Sequence, residues 1–185
     1  MNHRGTAVVS AFLLVVMLTS ALGCRDTQAK PVVSFLELSI TPSTGESKAQ
    51  IFTITYSDPS GYRNLRDVRV LFNNTQDGVR ACYVYYSPAE DAFRLVNDAG
   101  NASALLRPGA AGVTENGQCV LDASQSSVSG SGNDLTVRLA LTFSSTFGGK
   151  KNIYLYAENQ EQLSTGLVPR GTWTVPKTFL RSTAQ

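Results

Sequence analysis

The sequence is almost without histidine: His3 is the only one among 185 residues, and it lies in an N-terminal segment that we expect to be removed. A mature chain without imidazole cannot form a Ser-His-Asp triad or a Cys-His pair, because both use histidine as the base. Histidine is also a common ligand of metal ions, so its absence argues against a metal site.

Carboxylates do not replace the missing base. The 14 acidic residues are scattered, mostly over predicted turns, and no two of them stand out as the acid and base that glycoside hydrolysis needs. The glycines at 130, 132, 148 and 149 fall in predicted hairpin loops and do not precede a helix, so no phosphate-binding loop is indicated. We therefore predict no catalytic residues, no cofactor and no enzymatic activity.

Charge is also scarce, since lysine, arginine, aspartate and glutamate together make up only 16% of the chain. The 16 basic residues are nearly matched by the 14 acidic ones. Such a balance leaves no strong field that could attract nucleic acid or anionic lipid. We predict no nucleic-acid partner.

A long apolar run occurs at the N-terminus, where residues 7–22 follow the cationic Arg4. A run of about 16 mostly apolar residues is short for a membrane span and typical of the central part of an export signal. We therefore predict that residues 1–23 form a signal peptide that is cleaved off and takes no part in the fold.

The signal ends in Ala-Leu-Gly-Cys at 21–24, which resembles the lipid-attachment motif of bacterial lipoproteins. The resemblance implies that Cys24 is acylated and becomes the first residue, so membrane lipid is a predicted partner. Two or three acyl chains form a lasting anchor, because each buried methylene contributes about 0.8 kcal/mol. Residues 24–30 are then a flexible tether, and Arg25 after the lipid site favours the outer over the inner membrane. An ordinary secretory signal with a chance cysteine is the alternative.

Helical patterning is absent, whereas alternation of apolar and other residues recurs along the chain. In residues 135–143, five apolar side chains alternate with small or polar ones, as in a half-buried strand. Region 101–117 has little pattern and is predicted to be a long loop with one short strand at most. Similar patterns predict about nine strands: 32–40, 50–56, 67–72, 80–86, 93–96, 118–121, 135–143, 152–157 and 172–175.

Turn-forming residues separate these strands, notably at 41–45, 57–61, 73–78, 97–100 and 129–133. Many short strands at this spacing favour an all-β, antiparallel β-sandwich or barrel. Residues 31–176 are sufficient for one such domain with a single core. Residues 177–185 are predicted to be a polar C-terminal tail.

Two cysteines remain if Cys24 carries lipid. Cys82 and Cys119 both lie in strand-like surroundings, and an even number of cysteines in an oxidising compartment indicates a disulfide. The alternative is two free, buried thiols.

Residues 31–176 resemble a module that recurs in large secreted and surface proteins of soil bacteria and is described as immunoglobulin-like or fibronectin type III-like. The resemblance covers nearly the whole mature chain and implies the sandwich fold and a surface location. Its motifs carry no catalytic signature, so it says little about activity. The matching segments are 52–62, 81–86, 95–100, 129–136, 151–157 and 170–176.

Asp58, with Gly61 and Asp67 nearby, resembles the calcium-binding loops of bacterial sandwich domains, in which oxygen ligands cluster between two strands. Only two carboxylates fall within ten residues, however, and Asp-Pro-Ser-Gly at 58–61 is sufficient as a turn by itself. Asp58 and Asp67 are therefore candidate calcium ligands, with a purely structural turn as the favoured alternative.

Tyrosines suggest a second candidate site, because aromatic rings can form a platform for a sugar. If Cys82 and Val84 point inward, Tyr83 and Tyr85 face outward and form a candidate ligand face. Cross-strand aromatic pairs are also ordinary stabilisers of sheets, and Trp173 is expected in the core. The aromatic residues considered are Tyr83, Tyr85, Tyr86, Tyr154, Tyr156 and Trp173.

Two functions follow from these features. We expect a noncatalytic, lipid-anchored interaction or structural module at the bacterial cell envelope, which presents loops or a sheet edge to a protein partner. The alternative is a carbohydrate-binding module that uses exposed tyrosines. A flat, exposed row that includes Tyr83 and Tyr85 would favour the second function.

Overall fold

The computed structural model describes residues 38–177. The predicted signal peptide 1–23, Cys24, the tether 24–30, most of the predicted strand 32–40 and the tail beyond residue 177 lie outside the described residues.

Eleven strands make up most of the described chain, two more than the alternation predicts. Two single-turn 3₁₀ helices, Tyr62–Asn64 and Ser145–Phe147, interrupt them. The strands are β1 (Ser39–Thr41), β2 (Thr44–Glu46), β3 (Ala49–Ser57), β4 (Leu65–Asn73), β5 (Cys82–Ser87), β6 (Ala92–Leu95), β7 (Val113–Glu115), β8 (Cys119–Ser131), β9 (Asp134–Phe143), β10 (Gly149–Asn159) and β11 (Val168–Val175).

The strands form two sheets that pack face to face. The five-stranded sheet has the order β1-β3-β9-β8-β7, and the six-stranded sheet has the order β2-β11-β10-β4-β5-β6. Neighbouring strands are antiparallel except β2 and β11, which run parallel. This arrangement confirms the predicted all-β, immunoglobulin-like sandwich.

The core lies between the sheets and is built from alternate residues of each strand. In β9 the five apolar residues 135, 137, 139, 141 and 143 are all at most 3% exposed, as the sequence pattern predicts. Their neighbours on the opposite face include the exposed Arg138 and Thr142. Burial of one face of each sheet against the other supplies the hydrophobic free energy that holds the layers together.

Two segments differ from the predicted pattern. The predicted turn at 41–45 contains part of β2, which exists only because β11, far away in sequence, supplies its partner at Thr172–Thr174. β8 continues to Ser131, beyond the predicted strand 118–121 and into the predicted turn 129–133. Apart from Val128, residues 127–131 are serine and glycine, so pairing with β9 overrides their weak strand propensity. β7 is the one short strand allowed within 101–117.

The predicted disulfide between Cys82 and Cys119 is present and joins β5 of one sheet to β8 of the other. Both cysteines are buried in the core. Phe72 lies opposite Cys82 and Phe143 lies opposite Cys119 in their sheets, and the centroids of these two rings are 5.2 Å apart. The covalent bond and an aromatic pair therefore join the two layers at the same place.

Trp173 belongs to the core, as expected. Its ring meets Phe52 edge-on at a centroid distance of 5.0 Å, and its indole Nε1–H donates to the Ser47 carbonyl at 3.0 Å. Gly45 passes so close that a Cβ atom there would lie 2.5 Å from the indole ring. The β2 strand can reach β11 only because residue 45 has no side chain.

Removing the disulfide should lower stability substantially. The bond closes a loop with a sequence separation of 37. In the chain-entropy model, such a loop lowers the entropy of the unfolded chain and so raises the free energy of unfolding by about 3 to 4 kcal/mol. We expect reduction to lower the thermal midpoint by roughly 6 to 16 °C. Calorimetry with and without a phosphine reductant measures this shift, and mass spectrometry of alkylated peptides verifies reduction. An unchanged midpoint after complete reduction would contradict the expectation.

Residues 167–171 read Leu-Val-Pro-Arg-Gly, which matches the sequence that thrombin cleaves. The bond after Arg170 lies inside β11, which begins at Val168, earlier than the predicted 172–175. The guanidinium of Arg170 also donates to the Leu38 carbonyl at 2.6 Å. We expect the folded protein to resist thrombin, since the cleft of a protease needs a locally unfolded strand. Gel analysis should show cleavage only after heat unfolding, and rapid cleavage of the native protein would refute this view of β11.

Candidate functional site

The outer face of the six-stranded sheet carries several of the tyrosines singled out in the sequence, whereas Tyr86 and Trp173 lie in the main core. Strand register places Tyr156 of β10 opposite Arg69 of β4, Arg69 opposite Tyr85 of β5, and Tyr85 opposite Arg94 of β6. We call these four residues the tyrosine–arginine row. They cross four neighbouring strands at one level, so the sheet itself sets their spacing.

Arg69 is the centre of the row. Its guanidinium carbon lies 4.4 Å from the ring centroid of Tyr85 and 4.4 Å from that of Tyr156, so it makes a cation–π contact on both sides. Its Nε–H also donates to the Asp67 carboxylate at 2.7 Å. The charge is therefore held in one place by two rings and an anion.

Carboxylates also contact Tyr156 and Arg94. The Tyr156 hydroxyl donates to Glu158 at 2.7 Å, and Arg94 forms an ion pair with Glu90 at 2.9 Å. Burial, followed by the influence of Tyr83, raises the pKa of Tyr85 to about 12. Burial likewise raises the pKa of Tyr156. Both phenols stay neutral at physiological pH and act as hydrogen-bonding groups, not as bases.

Tyr83 does not take part in an exposed face. Cys82 and Val84 lie in the main core, and Tyr83 and Tyr85 point to the other side of the sheet. Tyr83 is nevertheless only 7% exposed, because a second apolar cluster covers it: Leu71, Ala81, Val96 and Tyr154, with Tyr85 and Leu167 at its margin. A Cβ atom at Gly78 would lie 2.6 Å from the Tyr83 ring, so the loop before β5 passes directly over it.

A flat tyrosine platform is therefore absent from this part of the molecule. Tyr85 and Tyr156 are half-buried and remain partly accessible, whereas Tyr83 and Tyr154 are buried in the second cluster. Tyr86 faces the opposite way and belongs to the main core. The candidate ligand face consequently moves from Tyr83 and Tyr85 to the row centred on Arg69.

The two candidate calcium ligands are engaged separately. Asp58 is 1% exposed and accepts from the Ser60 amide at 2.7 Å and from the Asn64 side chain at 3.1 Å. Asp67 is the ion-pair partner of Arg69. Residues 38–177 contain no group of three or more histidine, cysteine, aspartate or glutamate side chains arranged to hold a metal ion. The calcium site stays a prediction, and the contacts of Asp58 are those of a turn.

Sequence reasoning overlooked Arg69 and Arg94. The signal was present, because Val68, Val70 and Phe72 define the inward face of β4 and leave Arg69 on the outward one. The partner strands could not be known, however, because β4 pairs with β10, which follows about 80 residues later. Only that pairing brings Tyr156 beside Arg69.

Comparisons with protein-family models, with curated proteins and with solved structures gave no match for this chain. Within residues 38–177, no helix is long and apolar enough to cross a membrane.

We predict that Arg69→Met destabilises the domain. The substitution retains much of the apolar stem but removes both ring contacts and the ion pair with Asp67, which should lower the free energy of unfolding by about 1 to 2 kcal/mol. Arg94→Met is the matched control in the same row, and its more exposed ion pair should change stability by less than about 0.5 kcal/mol. Urea unfolding measures the free energy of unfolding of both variants. Equal losses would mean that the ring contacts of Arg69 add nothing to stability beyond an exposed ion pair.

Proposed function

We propose that this chain is a noncatalytic interaction module, lipid-anchored through Cys24 at the bacterial cell envelope, which binds a protein partner with the outer face of its six-stranded sheet. The outer membrane is the proposed location. The tyrosine–arginine row is the observation that carries the proposal, since it is an ordered, partly exposed group of the side chains that dominate protein interfaces.

Order within the row favours binding. Arg69 is fixed between two rings and a carboxylate, so little side-chain entropy remains to be lost when a partner arrives. Arg94 and Glu90 at the margin supply a pair of charges that a complementary surface can meet. Tyrosine offers both an apolar ring and a hydroxyl to such a surface.

The same geometry makes a sugar the weaker candidate. Binding by stacking needs an open ring face, and one face of Tyr85 and one face of Tyr156 are occupied by the Arg69 guanidinium. Tyr83, which would have widened the platform, is buried. A carbohydrate-binding module remains the alternative because both rings of the row keep some exposure.

The proposed location at the cell envelope rests on two observations of different kinds. The Ala-Leu-Gly-Cys motif at 21–24 supports lipid attachment, although it lies outside the described residues. The disulfide between Cys82 and Cys119 supports an oxidising compartment, because such bonds persist outside the cytoplasm.

The anchor is tested by Cys24→Ala. We expect mass spectrometry of the wild-type protein to show an acylated N-terminal cysteine and fractionation to place it with the outer membrane. The variant should carry no acyl chain and leave the membrane fraction. An unmodified wild-type N-terminus at another residue would refute lipid anchoring. That result would leave the proposed binding face, which is tested separately, unaffected.

The binding face is tested by photo-crosslinking in living cells. A benzoylphenylalanine at position 85 should give a discrete crosslinked protein complex, whereas the same probe at position 142, on the outer face of the other sheet, should not. Arg94→Glu should weaken this crosslink several-fold. Arg138→Glu, an exposed charge reversal on β9, is the control that should leave it unchanged. Equal crosslinking from both positions would contradict the proposal.

A glycan array with the purified protein distinguishes the alternative. Binding to a defined sugar that is lost in Tyr85→Ala but kept in Arg138→Glu would show that the ligand is a carbohydrate and would contradict the proposal of a protein partner. We expect no such binding.

A further inference from the structure

β8 has an edge that is only partly covered. β7 pairs with residues 120–122 of β8, and the Gly109 amide then donates to the carbonyls of Ala123 and Ser126 at 2.8 and 3.0 Å. From Ser127 to Ser131, β8 pairs with β9 on one side. On its other side these five residues have no backbone hydrogen-bond partner within residues 38–177.

This open stretch lacks the usual protection of a sheet edge. Residues 126–131 read Ser-Ser-Val-Ser-Gly-Ser, with neither a charge nor a proline. Proteins commonly place lysine, proline or a covering segment at such edges, because unpaired N–H and C=O groups invite another strand. The segment that contains Gly109 covers the edge only as far as Ser126. Beyond that residue, the backbone groups on this side of β8 can still pair with another strand.

A cleft of about 470 Å³ opens beside the same residues. Val128 and Gly130 form one wall and the β5–β6 turn at Pro88 and Ala89 forms the other. The lining also contains three buried apolar side chains, Leu65, Tyr86 and Leu135. The cleft has room for a large side chain, which a strand added to β8 would direct inward, and apolar residues form much of its lining.

Tyr62 shapes one end of this cleft. Its ring occupies the space beneath Gly130, where a Cβ atom would come within 2.2 Å of the ring. Its amide donates to the Gly132 carbonyl at 3.1 Å, so both the backbone and the ring of Tyr62 are held against β8 and its following turn. The cleft is thus built into the fold and does not depend on a loose loop.

Arg63 supplies the only charge in the lining of the cleft. It is exposed, its guanidinium lies 4.8 Å from the Tyr62 ring centroid, and it has no ion pair within the described part of the chain. A carboxylate on a bound segment would complement it.

We propose that the open edge of β8 binds an extended segment of a partner protein as an added strand, with a large apolar residue in the cleft and a nearby carboxylate facing Arg63. An extended backbone is the one ligand whose alternating N–H and C=O groups match residues 127–131, and the charge and cleft specify its side chains. This surface is independent of the tyrosine–arginine row and of the lipid anchor.

The test uses a phage-displayed library of random dodecapeptides, panned on the purified full chain. We expect enriched peptides to share a bulky apolar residue and an aspartate or glutamate within a few positions of it. A synthetic peptide of the enriched sequence should bind at least tenfold more weakly to Arg63→Glu. The matched charge reversal Arg80→Glu, at an exposed arginine that precedes β5 and so lies at the other end of that strand from the cleft, should leave its affinity unchanged.

Amide hydrogen exchange locates the peptide without any substitution. The edge-facing amides within residues 127–131 should exchange quickly in the free protein and at least tenfold more slowly with the peptide, while those of β1 keep their rates. Failure to enrich any sequence, protection of another segment, or affinity indifferent to Arg63→Glu would overturn the proposal. A dimer in which 127–131 is already protected without peptide would show that a second copy occupies the edge and would overturn it equally.

Discussion

The bond between Cys82 and Cys119 is the constraint on which the other features depend. It ties β5 to β8, and thus one sheet to the other, at a point where Phe72 and Phe143 also meet. Tyr85 lies three residues after Cys82 on β5, and the open edge of β8 begins eight residues after Cys119. Both proposed binding surfaces therefore extend from strands whose relative position is fixed covalently.

Alternating hydrophobicity was a reliable guide wherever a strand buries one face. It predicts β3, β4, β5, β6 and β9 closely, and the central part of β10, because their inward residues must be apolar whichever strand lies beside them. It could not predict β2 or the second half of β8. These segments contain few apolar residues, and hydrogen bonds to β11 and β9 hold them extended.

The candidate site shows a different limit of sequence reasoning. Period-two alternation determines to which side of a sheet a residue such as Tyr83 points, but it does not reveal what covers that side. The loop that contains Gly78 covers Tyr83, and the pairing of β4 with β10 brings Tyr156 to Arg69. Both are tertiary arrangements, and no local pattern in the chain encodes them.

Contacts between the two ends of the described domain have a consequence for how the protein folds. β2 pairs with β11, Trp173 bonds to Ser47, and Arg170 bonds to Leu38 across sequence separations of 126 to 132 residues. Strand pairings so distant in sequence make folding slow, because the loop they close is costly in entropy. The sandwich cannot be completed until β11 is available, so a chain exported from its N-terminus, as our proposal requires, would cross the membrane before its last strand pairs.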